Sequence, residues 1–547
     1  MILSMLFIVG ALVAASTDIF QKEVDFFSSL PLNSFPSTNR LSNFPKDKVL
    51  EFAADTRIMV HPRVLVLIDD FLNIKRKLGS AVEKQVYAGM SKEDFVRRLI
   101  EKRPLSFYCP GDVTLSRPGT VPHISGSVHS TWIKVGSSSE GNLRLADYLS
   151  YDEMQISALI GTSTPTFFLN DCSRHNNAIP ATGSYQKTGI HMGLVGARFE
   201  VNQLMEHEYI IETPSTVSWS EDQKAKRLLW SKFLGVDIDN HLPEDLINTT
   251  KGNFNRKIYK ERIRITVESM LFESDKRGEE QGIPVNLMVS GLGLGVCAHQ
   301  EEDFMAVVQE SLEKFELPHI KRIEMLWFYK GAFDSTFKPK NTSLQIVFSK
   351  ANPTAVERPD MLTIVVYAWD GNSFPGNEYW MGSLGASGDP AAACCSLIPS
   401  LQNPMINHHL LQNISIVGSD VDEEGVVASG SKKTTTTEGG GESKDEPKDG
   451  SKDEPKNGPK DGPEDEPKNE PKDGPEDEPK NGPKDGPKDE PKNGSNDEPK
   501  DGPKDGPKDE PKNGSKTGDS SKVIRSNGLQ VVSQALALLF STLLSFI

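Results

Sequence analysis

The chain has 547 residues, with 61 Lys and Arg against 77 Asp and Glu, a net charge of −16, and only 36% apolar residues. That balance argues against a nucleic-acid binder, which carries a basic footprint. The apolar deficit is local: between Val427 and Val523 no Val, Ile, Leu, Met, Phe, Trp, Tyr or Cys occurs, so that stretch cannot build a core. The rest is ample for one or two packed domains.

Residues 2–15, ILSMLFIVGALVAA, form an uncharged apolar run that ends in small residues. This reads as a secretory signal peptide over 1–16, too short to span a bilayer as a helix. A Ser/Pro/Phe-rich arm follows over 17–60. From 61 to 215 a β-rich lobe is expected. VLVLIDDFLNIKRKLG (64–79) is apolar, Ser91 with Asp94 three residues on caps a helix, and TWIKV, TPTFFLN and HEYIIET are strand-like runs. From 216 to 427 the period changes to an α/β core. Ser220 heads a helix that stops at Gly235, and IPVNLMVSG (283–291) is a buried-type strand. EEDFMAVVQESLEKF (301–315) is an amphipathic helix, and RIEMLWFY, LQIVFS and MLTIVVYAW are further strands. Strands alternating with helices predict an α/β sheet covered on both faces, with ligands beyond the carboxyl ends of its strands.

Three features fall at that edge. Ser290-Gly-Leu-Gly-Leu-Gly295 follows a strand, and Gly291, Gly293 and Gly295 would let backbone N–H groups approach a diphosphate; a tight packing turn has the same composition. The loop Ala368–Trp380 carries Asp370 and Glu378, the amides Asn372 and Asn377, and four aromatics including Trp369. Such a set suits a ribose held by hydrogen bonds and stacking, or acid–base work at an anomeric carbon, although Asp and Asn also cap turns. The third is Ser387-Gly-Asp389-Pro390, where Asp at an N-cap before Pro is also an ordinary helix start. Arg198 is the candidate cation for an anionic ligand in an otherwise acidic chain. No HExxH, GxSxG or CxxC occurs, so no metal or cofactor is expected.

Beyond the body, fifteen prolines recur at a spacing of four from Pro447 to Pro511, with Ser at 451 and 495. Proline every fourth residue removes helix donors and sheet pairing alike, so 428–521 is read as a disordered, extended repeat stalk. The chain closes on VVSQALALLFSTLLSFI, preceded by a spacer and small residues. That order is a GPI-anchor signal over 522–547, with Asp519 or Ser520 as attachment site and the outer leaflet of the plasma membrane as partner. Sequons at Asn248, Asn341 and Asn413 fit an exported glycoprotein. Five cysteines are too few for a disulfide scaffold.

GLGLGV (291–296), YAWDGNSFPGNEYWMG (367–382) and ASGDPAAACCS (386–396), with GARFE (196–200) and Met205-Glu206 upstream, resemble the MavL-type macrodomain family over roughly residues 160–415. The resemblance implies a macrodomain-like three-layer α/β/α core that binds ADP-ribose and removes it from arginine side chains of a modified protein. It also implies that Asp370, Glu378 and Asp389 are the catalytic acids, although Glu stands at 378 where the pattern would have Asp. One carboxylate would act as base toward water and a second would hold the ribose hydroxyls. Turnover itself is left open: a surface protein that only binds a nucleotide, or an adhesion or coat protein that keeps the fold, would share these residues.

Overall fold

The apolar runs separated by helical segments assemble into one central sheet. In chain order the strands are β1 (Arg57–Val60), β2 (Ser106–Tyr108), β3 (Val113–Leu115), β4 (Ser125–Ser127), β5 (Gly161–Phe167), β6 (Thr188–Leu194) and β7 (Leu246–Thr249). They continue with β8 (Gly252–Asn255), β9 (Val285–Val289), β10 (Ile320–Leu326), β11 (Gln345–Ser349), β12 (Leu362–Ala368) and β13 (Ile414–Ile416). This computed structural model describes residues 19–418 apart from 32–34, 109–110, 121–122, 200–202, 213–217, 251, 295–300, 330, 332, 335 and 371. The expected signal peptide, stalk and anchor signal, with Asp519 and Ser520, lie outside the described residues, as do Gly295, Cys109 and Cys297.

Eight strands form the main sheet in the order β11-β10-β9-β12-β6-β5-β1-β13. All neighbours pair in parallel except around β5, which runs antiparallel to both β6 and β1. Strands β2-β3-β4 and β7-β8 make two small antiparallel sheets. Both faces of the main sheet are covered, which the row of paired residues shows. Ser163, Met192 and Val366 share one face by register, and Arg277 of the helix Arg256–Gln281 donates to Ser163 Oγ at 3.1 Å. The adjoining row, Thr164, His191 and Val365, must face the other way. There Gln402 donates to Thr164 Oγ1 at 2.9 Å, and Ser396 meets His191 Nδ1 at 2.9 Å. The long helix is bounded by Asn255, whose side chain accepts from the Ile258 N–H, and by Gly282 at φ 64.

Several of the expected helices are present. The helix Glu221–Leu234 opens on a Ser220/Gln223 capping box and ends at Gly235 with φ 65. The helix Lys92–Glu101 opens on the Ser91/Asp94 box, and Glu301–Lys314 is helical. The β-rich lobe is corrected. Residues 61–215 supply the helices Pro62–Leu78 and Tyr151–Ser157, and β6, with β5 beyond it, lies beside β12 in the same sheet as the core segment. Within it TWIKV straddles the end of the short helix His129–Trp132 and the turn after it, and HEYIIET begins with the short helix His207–Ile210. Short apolar runs lack the length that separates strand from helix, and packing decides.

Cys172 and Cys395 form a disulfide with Cα atoms 5.2 Å apart. Cys394 is a buried thiol pushed up to about 12 by burial, which leaves it unreactive. Of the sequons, Asn248 is exposed. The Asn341 and Asn413 amide nitrogens instead donate to backbone carbonyls, of Leu317 and Ile320 for the first and of Ala54 and Thr56 for the second. A glycan takes one of the two amide hydrogens, so modification of either residue would cost one of these bonds. No helix among the described residues is long and apolar enough to cross a membrane.

Candidate active site

Strands β9, β12 and β6 are adjacent and parallel, so the loops that leave their carboxyl ends meet at one edge. The loop after β6 begins Val195-Gly196-Ala197-Arg198. It is pinned from below by Glu206, which is fully buried and paired with the equally buried Arg262. Glu206 also accepts from the Arg198 backbone N–H and, at 3.1 Å, from Tyr209 Oη. Arg262 in turn donates to the carbonyls of Ala158 and Gly196, at 2.9 and 3.2 Å. Burial pushes the Glu206 carboxyl up, while Arg262 and the donated hydrogen bonds act against that shift.

The loop after β9 lies directly on Gly196. A Cβ there would sit 2.5 Å from the Leu292 carbonyl oxygen and 2.8 Å from the Gly293 nitrogen. Gly293 itself has φ +74, a conformation that glycine adopts without steric cost. Ser290 Oγ donates to the Val366 carbonyl at 2.8 Å and ties this loop to β12. Of the three expected glycines, Gly291 and Gly293 are therefore on a backbone ledge at the edge where β12 ends.

The loop after β12 brings the carboxylates. Asp370 Oδ1 accepts from Arg198 Nη1 at 3.0 Å, and its Oδ2 accepts from Asn377 Nδ2 at 2.6 Å. Glu378, partly buried, accepts from Ser387 Oγ at 3.2 Å. Its carboxyl is pushed up to about 8, first by burial and then by the neighbouring Asp370 charge. Asp389 is buried at 1% exposure, and its Oδ1 accepts from the Gly376 N–H at 2.6 Å. Burial, then Asp370 and Glu378, hold it well above the usual carboxylate range. The helix Gly388–Cys395 starts one residue before Asp389. Its side chain therefore does not serve as that helix's N-cap but fastens the Gly376 turn, which itself sits at φ 106.

Several expected ligand contacts have other duties here. Trp369 is 3% exposed, with the Arg103 guanidinium 4.0 Å from its ring centroid, so that face does not offer a platform for a base. Asn372 is buried and points its Nδ2 at Met205 Sδ, 3.2 Å away. Asn377 is fully buried and serves Asp370. Arg198 is engaged by Asp370, so its charge balances a carboxylate first. Arg103 escaped the sequence reading: it ends the run SKEDFVRRLIEKR (91–103) with no spacing signal. In the fold it is fully buried, donates to the Leu99 carbonyl at 2.7 Å, and is lowered to about 9 by burial. No group of three or more His, Cys, Asp or Glu among the described residues is arranged to hold a metal ion.

The family model described as ADP-ribosylhydrolase MavL-like matches residues 17–427. The chain belongs to the MavL-like ADP-ribosylhydrolase family. Among its relatives is the ADP-ribosylarginine hydrolase CG3568 of Drosophila melanogaster, 31% identical over 410 residues, which cover 68% of this chain and 79% of the fly protein. The ADP-ribosylarginine hydrolase CG2909 of the same fly is 30% identical over 403 residues, covering 66% and 78%. The family match starts in the arm at residue 17 and takes in β1, β5 and β6, which agrees with one sheet built from both halves of the body.

Proposed function

We propose that the chain binds ADP-ribose at the edge formed by β9, β12 and β6 in a macrodomain-like arrangement, and hydrolyses the N-glycosidic bond of ADP-ribosyl-arginine. The observation that carries this reading is the divided environment of two carboxyls on one loop. Asp370 is partly exposed and held by Arg198 and Asn377, whereas Glu378 is pushed up to about 8. Hydrolysis adds a hydroxyl to the anomeric carbon and a proton to the departing guanidine nitrogen, so one group must take a proton and another must give one. Asp370 takes it from the attacking water. Glu378, which retains its proton at neutral pH, gives one to the leaving nitrogen. Two carboxyls with environments that differ in this way are how a single site runs both steps. The Asp370 charge also stabilises the positive character that builds on the ribose in an oxocarbenium-like transition state. Gly291 and Gly293 offer backbone donors to the diphosphate, and Asp389 keeps the Gly376 turn in place. No cofactor enters this scheme.

The relatives' activity supports this substrate class. The address is a further part of the proposal: the leader and tail make this an exported protein, GPI-anchored on a long stalk, whose substrates are ADP-ribosylated proteins outside the cell. The Cys172–Cys395 disulfide supports an oxidising compartment. Calorimetric titration of ADP-ribose into the full chain is expected to show saturable binding that Asp370→Ala alters, with release of ADP-ribose from ADP-ribosyl-arginine by the unaltered protein. Absence of heat at millimolar ADP-ribose would overturn the reading.

A further inference from the structure

The sheet β2-β3-β4 lies far from the catalytic loop in sequence, yet its first strand and the residues before it grip that loop at several points. The Phe374 N–H donates to the Pro104 carbonyl at 2.8 Å. Ser106 Oγ donates to the Asn377 carbonyl at 2.7 Å, and the Phe107 N–H donates to Asn377 Oδ1 at 2.8 Å. Arg103 lies against the Trp369 ring, one residue before Asp370. Ser106, Phe107 and Asn377 are all fully buried, so water does not compete for these bonds.

The chemistry of the Phe107 contact fixes the rest. A backbone N–H only donates, so the Asn377 atom that faces it must be the amide oxygen. The amide nitrogen is thereby turned toward Asp370, and it also only donates. Asp370 Oδ2 must then accept, 2.6 Å away, which leaves Oδ1 to Arg198 at 3.0 Å. Asn377 sits at φ 36, in the left-handed region where Asn and Asp are the best tolerated side-chain-bearing residues. A backbone donor on β2 therefore dictates, through one amide, which way the Asp370 carboxylate faces.

We propose that Asn377, oriented by the Phe107 N–H, is the positioning residue that keeps Asp370 aligned as the proton acceptor, and that the β2 segment from Arg103 to Phe107 acts as its brace. This rests on the reading of Asp370 as the base in ADP-ribosyl-arginine hydrolysis. Asn377 is fully buried, so its role is expected to show in turnover and not in affinity.

The donor requirement gives a test that a merely structural residue would not pass. In Asn377→Asp the oxygen that faces Asp370 can donate only when protonated, whereas Asn377→Gly keeps the backbone conformation and supplies no donor at any pH. The full chain and both variants are assayed for release of ADP-ribose from ADP-ribosyl-arginine from acid to alkaline pH, with ADP-ribose affinity measured by calorimetry and folding checked by thermal melting. A buried carboxyl in contact with Asp370 holds its proton above the ordinary range, so Asn377→Gly is expected to lose about 100-fold in kcat throughout and Asn377→Asp only at alkaline pH, the scale of a misaligned reacting group, with ADP-ribose affinity within about threefold of the unaltered protein. As pH falls, the kcat of Asn377→Asp relative to the unaltered protein rises, while that of Asn377→Gly stays flat. A flat ratio for Asn377→Asp, or a loss of ADP-ribose affinity at unchanged kcat, would overturn the positioning role alone. An unaltered protein without turnover would overturn both that role and the hydrolase reading.

Discussion

Replacing Gly196 by Ala tests whether the glycine ledge and the loop after β6 form one rigid unit. The added Cβ would stand 2.5 Å from the Leu292 carbonyl oxygen, 2.6 Å from its carbon and 2.8 Å from the Gly293 nitrogen. All three are backbone atoms, so no side chain can rotate away. Ordinary contact begins near 3.4 Å, so one loop must retreat by about 1 Å, the scale of overpacking that costs about 1–3 kcal/mol. The β6 side is the less able to give, because the Gly196 carbonyl accepts from Arg262 and the Arg198 N–H is held by Glu206. The ledge of Gly291 and Gly293 therefore moves. A diphosphate held by backbone N–H groups that have shifted by about 1 Å loses on the order of one good hydrogen bond, about 1.5 kcal/mol or roughly tenfold in affinity. Calorimetry with ADP-ribose and urea unfolding, run together, separate the two costs. Unchanged affinity in a folded Gly196→Ala protein would refute the placement of the diphosphate on this ledge.

Two further expectations concern buried acids. Glu378→Gln removes the proposed proton donor, so kcat at neutral pH is expected to fall about 100-fold, and the fall in activity as pH rises through about 8 should disappear from the pH–rate profile. Stability carries the same signature. The folded value of about 8 lies above the ordinary 4.5, so the folded protein holds this proton more tightly. The resulting stability is full below 4.5 and is lost as pH rises through 8; urea midpoints for Glu378→Gln should show a weaker decline over that window. Glu206→Ala leaves Arg262 as an uncompensated buried cation, and both side chains are fully buried. A loss of about 3–5 kcal/mol in urea unfolding is expected, and a loss below about 1 kcal/mol would show that the Arg262 carbonyl contacts suffice on their own.

The candidate loop was legible because its residues are local. Asp370 and Glu378 lie eight residues apart in one run beside the end of an apolar strand, and strand ends in α/β sheets are where ligands bind. The capping boxes at Ser91 and Ser220 were legible for the same reason, since donor and acceptor are three residues apart. The family resemblance drew on the same contiguous segments, and the match over 17–427 extends it to most of the chain.

What each polar residue does was decided only by the tertiary structure. Asn372, Asn377 and Trp369 are the residue types that bind a nucleotide, but their partners are Met205, Phe107 and Arg103, up to 270 residues away. Buried amides and guanidiniums take whatever complementary groups surround them, and no periodicity encodes that choice. The strand-like runs at TWIKV and HEYIIET failed for a related reason, as fewer than two helical turns carry too little pattern to outweigh packing. Likewise Asp389 begins as a plausible cap for its own helix, and only the approach of the Gly376 turn makes it a buttress of the site. The sequence by itself determined which residues could do chemistry and the order of strands and helices that carries them. Sheet register and long-range burial decided which of them face the ligand edge and which hold the others in place, because those assignments depend on contacts between segments that local sequence does not record.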